Sequence, residues 1–131
     1  MSHFSRVKTA FRDSSVLAQC LEEMGYQVEC GGSVRGYHGV QQVDLAVAGR
    51  DGFGVGFVQN ADGCYDLLAD SWGVKGADRK VLERLRRDYP RLQQEYARRM
   101  VHEQAVREGY TMVEEVEQED GSIRIVVRRW A

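Results

Sequence analysis

The sequence predicts an α+β fold: a mostly antiparallel sheet, one short N-terminal helix and one long, Pro-kinked helical region packed on one face, and a C-terminal β-hairpin. Three observations carry this. Alternating apolar runs are joined at Asp51-Gly52, Asp62-Gly63 and Asp120-Gly121, and strands joined by such tight turns run antiparallel. Val81, Leu85, Tyr89, Leu92, Tyr96 and Met100 recur at steps of three and four, the spacing of one helix face. The alternating run from Ser122 to Trp130 needs a neighbouring strand to satisfy its backbone N–H and C=O groups.

Taken in order, residues 3–11 alternate and read as a strand with Val7 and Phe11 inward. Asp13 is placed to cap a helix by accepting from the free N–H groups of its first turn. Val16, Leu17, Cys20, Leu21 and Met24 form its apolar stripe, and Gly25 stops it in the left-handed conformation. Tyr26 to Cys30 is a short strand. Gly31 to Gly39 holds four glycines in nine residues, which predicts a loop or a broken strand. Val43, Leu45 and Val47 alternate in one strand, Phe53, Val55 and Phe57 in the next, and Cys64 to Leu68 make a third.

The helical region spans 78–108. Pro90 removes one backbone bond inside it and should kink it, or split it near Asp88-Tyr89. Tyr110 to Glu117 and Ser122 to Trp130 form the last hairpin. A two-residue turn there sets Glu117 opposite Arg124 and Val116 opposite Ile125. Glu114 would then face Val127 on the inner side, a poor place for a carboxylate, so a bulge is expected near Glu114-Glu115.

A chain of 131 residues is expected to form a single α+β domain over 1–131 with a core large enough to fold without disulfides or metal. The net charge of −2 gives no overall attraction to nucleic acid. No apolar run approaches the roughly 20 residues of a membrane span, and Met1 to Arg6 lacks a secretory apolar segment. The widely spaced Cys20, Cys30 and Cys64 read as free cytosolic thiols. A cytoplasmic location is expected. With no CxxC or HxxxH pair among these cysteines and the histidines, no metal site is expected, and no cofactor is implied.

Gly54 and Gly56 leave one side of their strand bare. The packing reading is size matching, with Val43, Leu45 and Val47 of the adjacent strand beside the glycines; the other reading is a floor for a flat ligand. In the glycine-rich loop, Arg35, Gly36, Tyr37 and His38 are the candidate ligand or partner residues, since glycines allow close approach and the three side chains suit an anion or carboxylate. The pattern lacks GxxxxGK[ST] and GxGxxG, and a strand follows instead of a helix. Within 78–108, nine cationic side chains stand against six acidic ones. Arg84, Arg87 and Arg91 are interface candidates there. So are Trp72, in an irregular stretch, and Arg128 with Trp130, which share a face of the last strand with Arg124 and Val126.

Several short motifs also look familiar: Met1-Ser2-His3-Phe4, Lys8-Thr9, Leu21 with Met24-Gly25-Tyr26, Val34-Arg35-Gly36-Tyr37, and Glu119 to Arg124 with Arg129-Trp130. In this order they resemble a small uncharacterised family, a domain of unknown function found in cyanobacteria, in other bacteria and as a hypothetical reading frame of algal plastid genomes. The resemblance runs nearly end to end and is weakest over 70–100. It implies no catalytic residue. Genes of that family are often placed near one for an AAA-type ATPase, which hints at such a protein as partner.

No nucleophile–base pair, metal cluster or nucleotide motif stands out, while charged and aromatic surface is ordered by the fold. The expected function is therefore a non-enzymatic cytosolic protein-interaction domain, an adaptor or regulatory subunit. A free sheet edge would also allow a homodimer. The competing readings are a small-molecule or anion-binding domain using the Gly31–Gly39 loop, and RNA binding through the arginine-rich helix. Against RNA, the helix carries no interleaved exposed aromatics on which bases could stack.

Overall fold

A computed structural model describes residues 4–35, 39–49, 52–70 and 76–129. The chain is α+β, with its elements in the order β1 (Phe4–Lys8), α1 (Ser14–Glu23), β2 (Val28–Cys30), β3 (Ser33–Arg35), β4 (Val40–Gln42), β5 (Leu45–Gly49), β6 (Gly52–Gln59), β7 (Tyr65–Asp70), α2 (Gly76–Arg107), β8 (Tyr110–Glu117) and β9 (Ile123–Arg129). These form two compact units, Met1–Leu92 and Gln93–Ala131.

The first unit is built on an antiparallel five-stranded sheet, β1-β7-β6-β5-β2. One face carries Leu45, Val47, Val55 and Phe57, all buried. Phe11 meets Phe57 edge-on at 6.3 Å between ring centroids and Tyr89 of α2 at 5.9 Å, which lays the first half of α2 over this face. Phe11 is buried as expected, but Val7 is 56% exposed. Its strand lies at the sheet edge, where burial by the layer above runs out.

Helix α1 begins at Asp13, whose carboxylate accepts from the Val16 N–H at 3.1 Å. It ends in a left-handed glycine: Gly25 has φ +93, and the Gly25 and Tyr26 N–H groups bond back to Glu22 and Leu21 at 3.0 Å each. Pro90 does not split the second helix, which runs unbroken from Gly76 to Arg107. Pro90 is exposed, so water can bond the carbonyl left without an N–H partner. Buried Leu85 and Leu92 anchor the helix on either side.

Over its described residues 31–35, the glycine-rich segment is a broken strand. The β2–β5 ladder continues through the Gly31 N–H to Asp44 O bond (2.8 Å) and the Val43 N–H to Gly32 O bond (3.0 Å) into the β3–β4 pair. One long hairpin thus folds over at Gly31 (φ +73) and lays β3 across the second face of the sheet. There Val34, Val43, Ala46 and Leu68 form a buried cluster flanked by Phe4 and Val58.

This overturns the expected neighbours of Gly56. The register pairs Ala46 with Gly56 and Val47 with Val55, so small lies beside small. The space is filled from above: a Cβ on Gly56 would lie 2.7 Å from Val34 Cγ2 and 2.9 Å from the Leu45 carbonyl oxygen. Packing, and not a ligand floor, accounts for that glycine.

In the second unit, β8 and β9 pair in a two-stranded antiparallel sheet beside the second half of α2. Their register differs by one residue from the expected one: Glu117 pairs with Ile123 and Val116 with Arg124. The turn is longer than two residues. Gly121 takes φ +87 and its N–H bonds Gln118 O at 3.0 Å, while the Gln118 N–H bonds Ser122 O at 2.7 Å. This is a three-residue loop with its glycine in the third place. Asp120 Oδ1 accepts from the Ser122 N–H and hydroxyl, which holds its carboxyl below the usual carboxylate range. The expected bulge is present, between Met112 and Glu114.

Candidate functional site

Of the expected loop residues, Arg35 ends β3, exposed and opposite Val40. Gly36, Tyr37 and His38 lie outside the described residues, as do Trp72 and Trp130. Two glycines of the loop have structural explanations: Gly31 makes the bend, and a Cβ on Gly32 would stand 2.9 Å from that of Ala46.

The arginine candidates on α2 divide by role. The Arg84 guanidinium lies 4.5 Å over the Tyr26 ring, donates to the Met24 carbonyl at 2.8 Å and pairs with Asp88 at 3.6 Å. A cation at the last carbonyls of α1 also complements that helix's dipole. Arg84 therefore fastens α1 to α2. The Tyr26 hydroxyl donates to Asp88 at 2.7 Å, and burial, with that bond, raises its pKa well above the ordinary phenol value. Tyr26→Phe is expected to cost about 1–2 kcal/mol by removing the hydroxyl donor of Asp88 and leaving it the Arg84 ion pair, read by urea denaturation. Arg87 and Arg91 are exposed. Arg79–Glu83, Arg98–Glu95 and Arg107–Glu103 pair along the helix at 2.9–3.7 Å, the pattern of a solvated charged face.

Asp66 is the sort of buried carboxylate that acid–base chemistry uses, but it is fully engaged. Arg6 donates to it at 3.1 and 3.2 Å and Asn60 at 2.9 Å, tying the edge strand β1 to β7. Among the described residues no group of three or more His, Cys, Asp or Glu side chains is placed to hold a metal ion. Cys20 is buried, Cys64 half-buried and Cys30 exposed.

The second unit holds an apolar surface feature of its own, among the described residues. The hairpin is fixed along α2 by Gln94, which donates to the Gly121 carbonyl, and by Glu115, which lies 3.4 Å from Arg98 and 3.6 Å from His102. The hydrogen bond from Arg98 to Glu95 raises the guanidinium pKa further, so Arg98 stays charged. Beside it, between α2 and β9, lies a groove made of two depressions that share Val101. A depression of about 510 Å³ is lined by Met100, Val101, Gln104, Ala105, Glu108, Tyr110 and Val127. A second of about 240 Å³ is lined by Gln94, Ala97, Arg98, Val101, Ser122, Ile123 and Ile125. Val101, shared by both, is 44% exposed, and Val127 is 37% exposed.

Sequence reading missed this groove. The expected apolar stripe of α2 ends at Met100, whereas the groove uses 97, 101, 104, 105 and 108, a second helical row turned toward β9. The adjacent apolar pair Met100-Val101, continued by Ala105, was the available signal that the stripe widens. Arg128, expected at an interface, is exposed on β9 opposite Thr111. It lies on the side of the strand facing away from the groove.

Comparison with known proteins adds a family. The model for "Protein of unknown function (DUF1257)" matches residues 20–126. An uncharacterized protein ycf35 of Pyropia yezoensis is 28% identical over 134 residues, covering 99% of this chain and 98% of its own. The ycf35 protein of Cyanophora paradoxa gives the same identity and coverage, and that of Guillardia theta is 28% identical over 138 residues. No solved structure matches. The family match spans both compact units, from α1 to the middle of β9, and the chain belongs to the DUF1257 family.

Proposed function

We propose that this protein is a non-enzymatic, cytosolic interaction domain, an adaptor or regulatory subunit that docks a protein partner in the groove between α2 and β9. The observation that carries this is the open apolar groove itself. Apolar side chains left in contact with water, as Val101 and Val127 are, mark an interaction surface when they cluster. Gln94, Arg98, Gln104 and Glu108 line it beside the apolar side chains, and protein interfaces mix apolar and polar groups in this way. The larger depression falls within the volume range of small-molecule sites, but such sites bury a ligand among convergent polar groups. Here two of the polar lining groups, Gln94 and Arg98, are already engaged with Gly121 and Glu115. Among the described residues no helix is long and apolar enough to cross a membrane. An AAA-type ATPase is the first partner class to look for.

The test is affinity capture from the native cell extract with wild type, Val101→Glu and Arg91→Ala. Val101 is partly exposed, so its replacement should change stability by less than about 1 kcal/mol. A stoichiometric partner retained by Arg91→Ala and reduced at least about tenfold by Val101→Glu is expected. A partner held equally by all three proteins, or none with wild type, would contradict the proposal.

A further inference from the structure

Resting on that reading, we propose that the occupant of the groove is an extended segment of a partner protein, with alternating apolar and acidic side chains, which adds to β9 as a third strand. Three observations converge. The first is an open backbone edge. Among the described residues β9 pairs only with β8. The Gln118 N–H to Ser122 O bond fixes Ser122 as facing β8, and bonding direction alternates along a strand. The N–H and C=O groups of Ile123, Ile125 and Val127 therefore point away from β8.

The second observation is that the side chains of these same three residues line the groove. A strand laid on this edge would send every second side chain between β9 and α2, onto Val101 and the depressions on either side. Ser122 to Val127 spans about 17 Å at the rise of a strand. Gln94 to Glu108 spans about 21 Å at the rise of a helix. The track therefore takes an extended segment of roughly five or six residues. Sheet edge plus helix is a known way to hold a peptide, with backbone bonds for affinity and alternate pockets for selection.

The third observation is charge. On the face away from the groove, Arg124 and Arg128 are exposed and flank Val126. An added strand sets its outward side chains beside them, so acidic residues there are favoured and basic ones disfavoured. The same charges oppose a second copy of the chain. Antiparallel pairing that uses all seven residues of β9 would place Arg124 of one copy against Arg128 of the other, twice. Charged edges of this kind are how open strands avoid self-pairing.

The test uses the intact protein, 15N-labelled, titrated with acetyl-Val-Glu-Val-Glu-Val-Glu-Val-amide. The expected result is saturable amide shifts on Ile123, Ile125, Val127 and the facing turn of α2. Replacing Glu by Lys in the peptide should weaken binding about tenfold or more, and the Arg124→Glu/Arg128→Glu double variant should reverse that preference. N-methylation of one alternate set of peptide amides should weaken binding at least about tenfold while the other set leaves it unchanged. Equal effects of both sets, or of neither, overturn strand addition. So does absence of binding, or occupation of the groove by an amphipathic helical peptide in its place. In those cases loss of capture by Val101→Glu would leave the docking groove standing, whereas unchanged capture would remove both readings. Concentration-dependent dimerisation through β9 that competes with the peptide would assign the edge to a second copy and overturn a partner segment.

Discussion

Gly56→Ala is expected to destabilise the protein by about 2–3 kcal/mol, a large effect for one methyl group. The added Cβ would stand 2.7 Å from Val34 Cγ2, 2.9 Å from the Leu45 carbonyl oxygen and 3.0 Å from Val43 Cγ1. A side chain can rotate away, but the Leu45 carbonyl belongs to the neighbouring strand of the ladder and moves only if the sheet moves. Overpacking of this kind costs typically 1–3 kcal/mol. Gly56→Val adds two more methyl groups to the same space and should prevent β3 from seating at all. For a chain of this size the Gly56→Ala loss corresponds to a fall in Tm of roughly 10 °C. Val34→Ala, damaging by itself, should partly rescue Gly56→Ala in a double-mutant cycle. A change below about 0.5 kcal/mol in Gly56→Ala would mean that β3 does not lie against this strand.

Phe11→Ala is expected to cost about 3–5 kcal/mol, the range for removing a fully enclosed aromatic ring. Phe11 joins two layers. Its ring contacts Phe57 on the sheet and Tyr89 on α2. Its backbone is held from both sides: the carbonyl accepts from the Tyr65 N–H at 2.8 Å and the N–H donates to Thr9 Oγ1 at 3.1 Å. The segment is pinned, so neighbouring side chains have little freedom to collapse into the space, and the cavity term should be large. Phe11→Leu keeps most of the volume and should lose considerably less. Urea denaturation of both variants measures this, and a loss under about 1 kcal/mol in Phe11→Ala would contradict the layer-joining role.

The elements legible in the sequence were those fixed by local rules. Asp13 and Gly25 bound α1 because the orphan groups at a helix end take only a few residue types. The antiparallel order followed from turns too short to allow a crossover. The register of the last hairpin was not legible. An Asp-Gly pair suits both a two-residue turn and a three-residue loop with glycine third, and the two differ by one residue. The role of the glycines at 31, 32 and 56 also lay beyond local rules. It depends on a hairpin folding over the sheet to bring Val34 to Gly56, 22 positions away in the chain. For the candidate site, Arg84 was noticed for its charge but is engaged with Met24, Tyr26 and Asp88, partners that only tertiary packing reveals. The groove escaped because its apolar row is weak on the helix alone and becomes a surface only when β9 lies beside it.

In the proposed function, partner docking uses the face formed by α2 and β9. Residue-resolved amide exchange of the labelled protein, with and without the captured partner, is the decisive test. The expected result is added protection at Ile123, Ile125 and Val127, whose N–H groups point to the open edge, with little change at Arg124 and Val126, which already face β8. Protection concentrated instead at Ser33 to Gln42, with β9 exchanging as in the free protein, would contradict the claim and move the interaction to the folded-over hairpin.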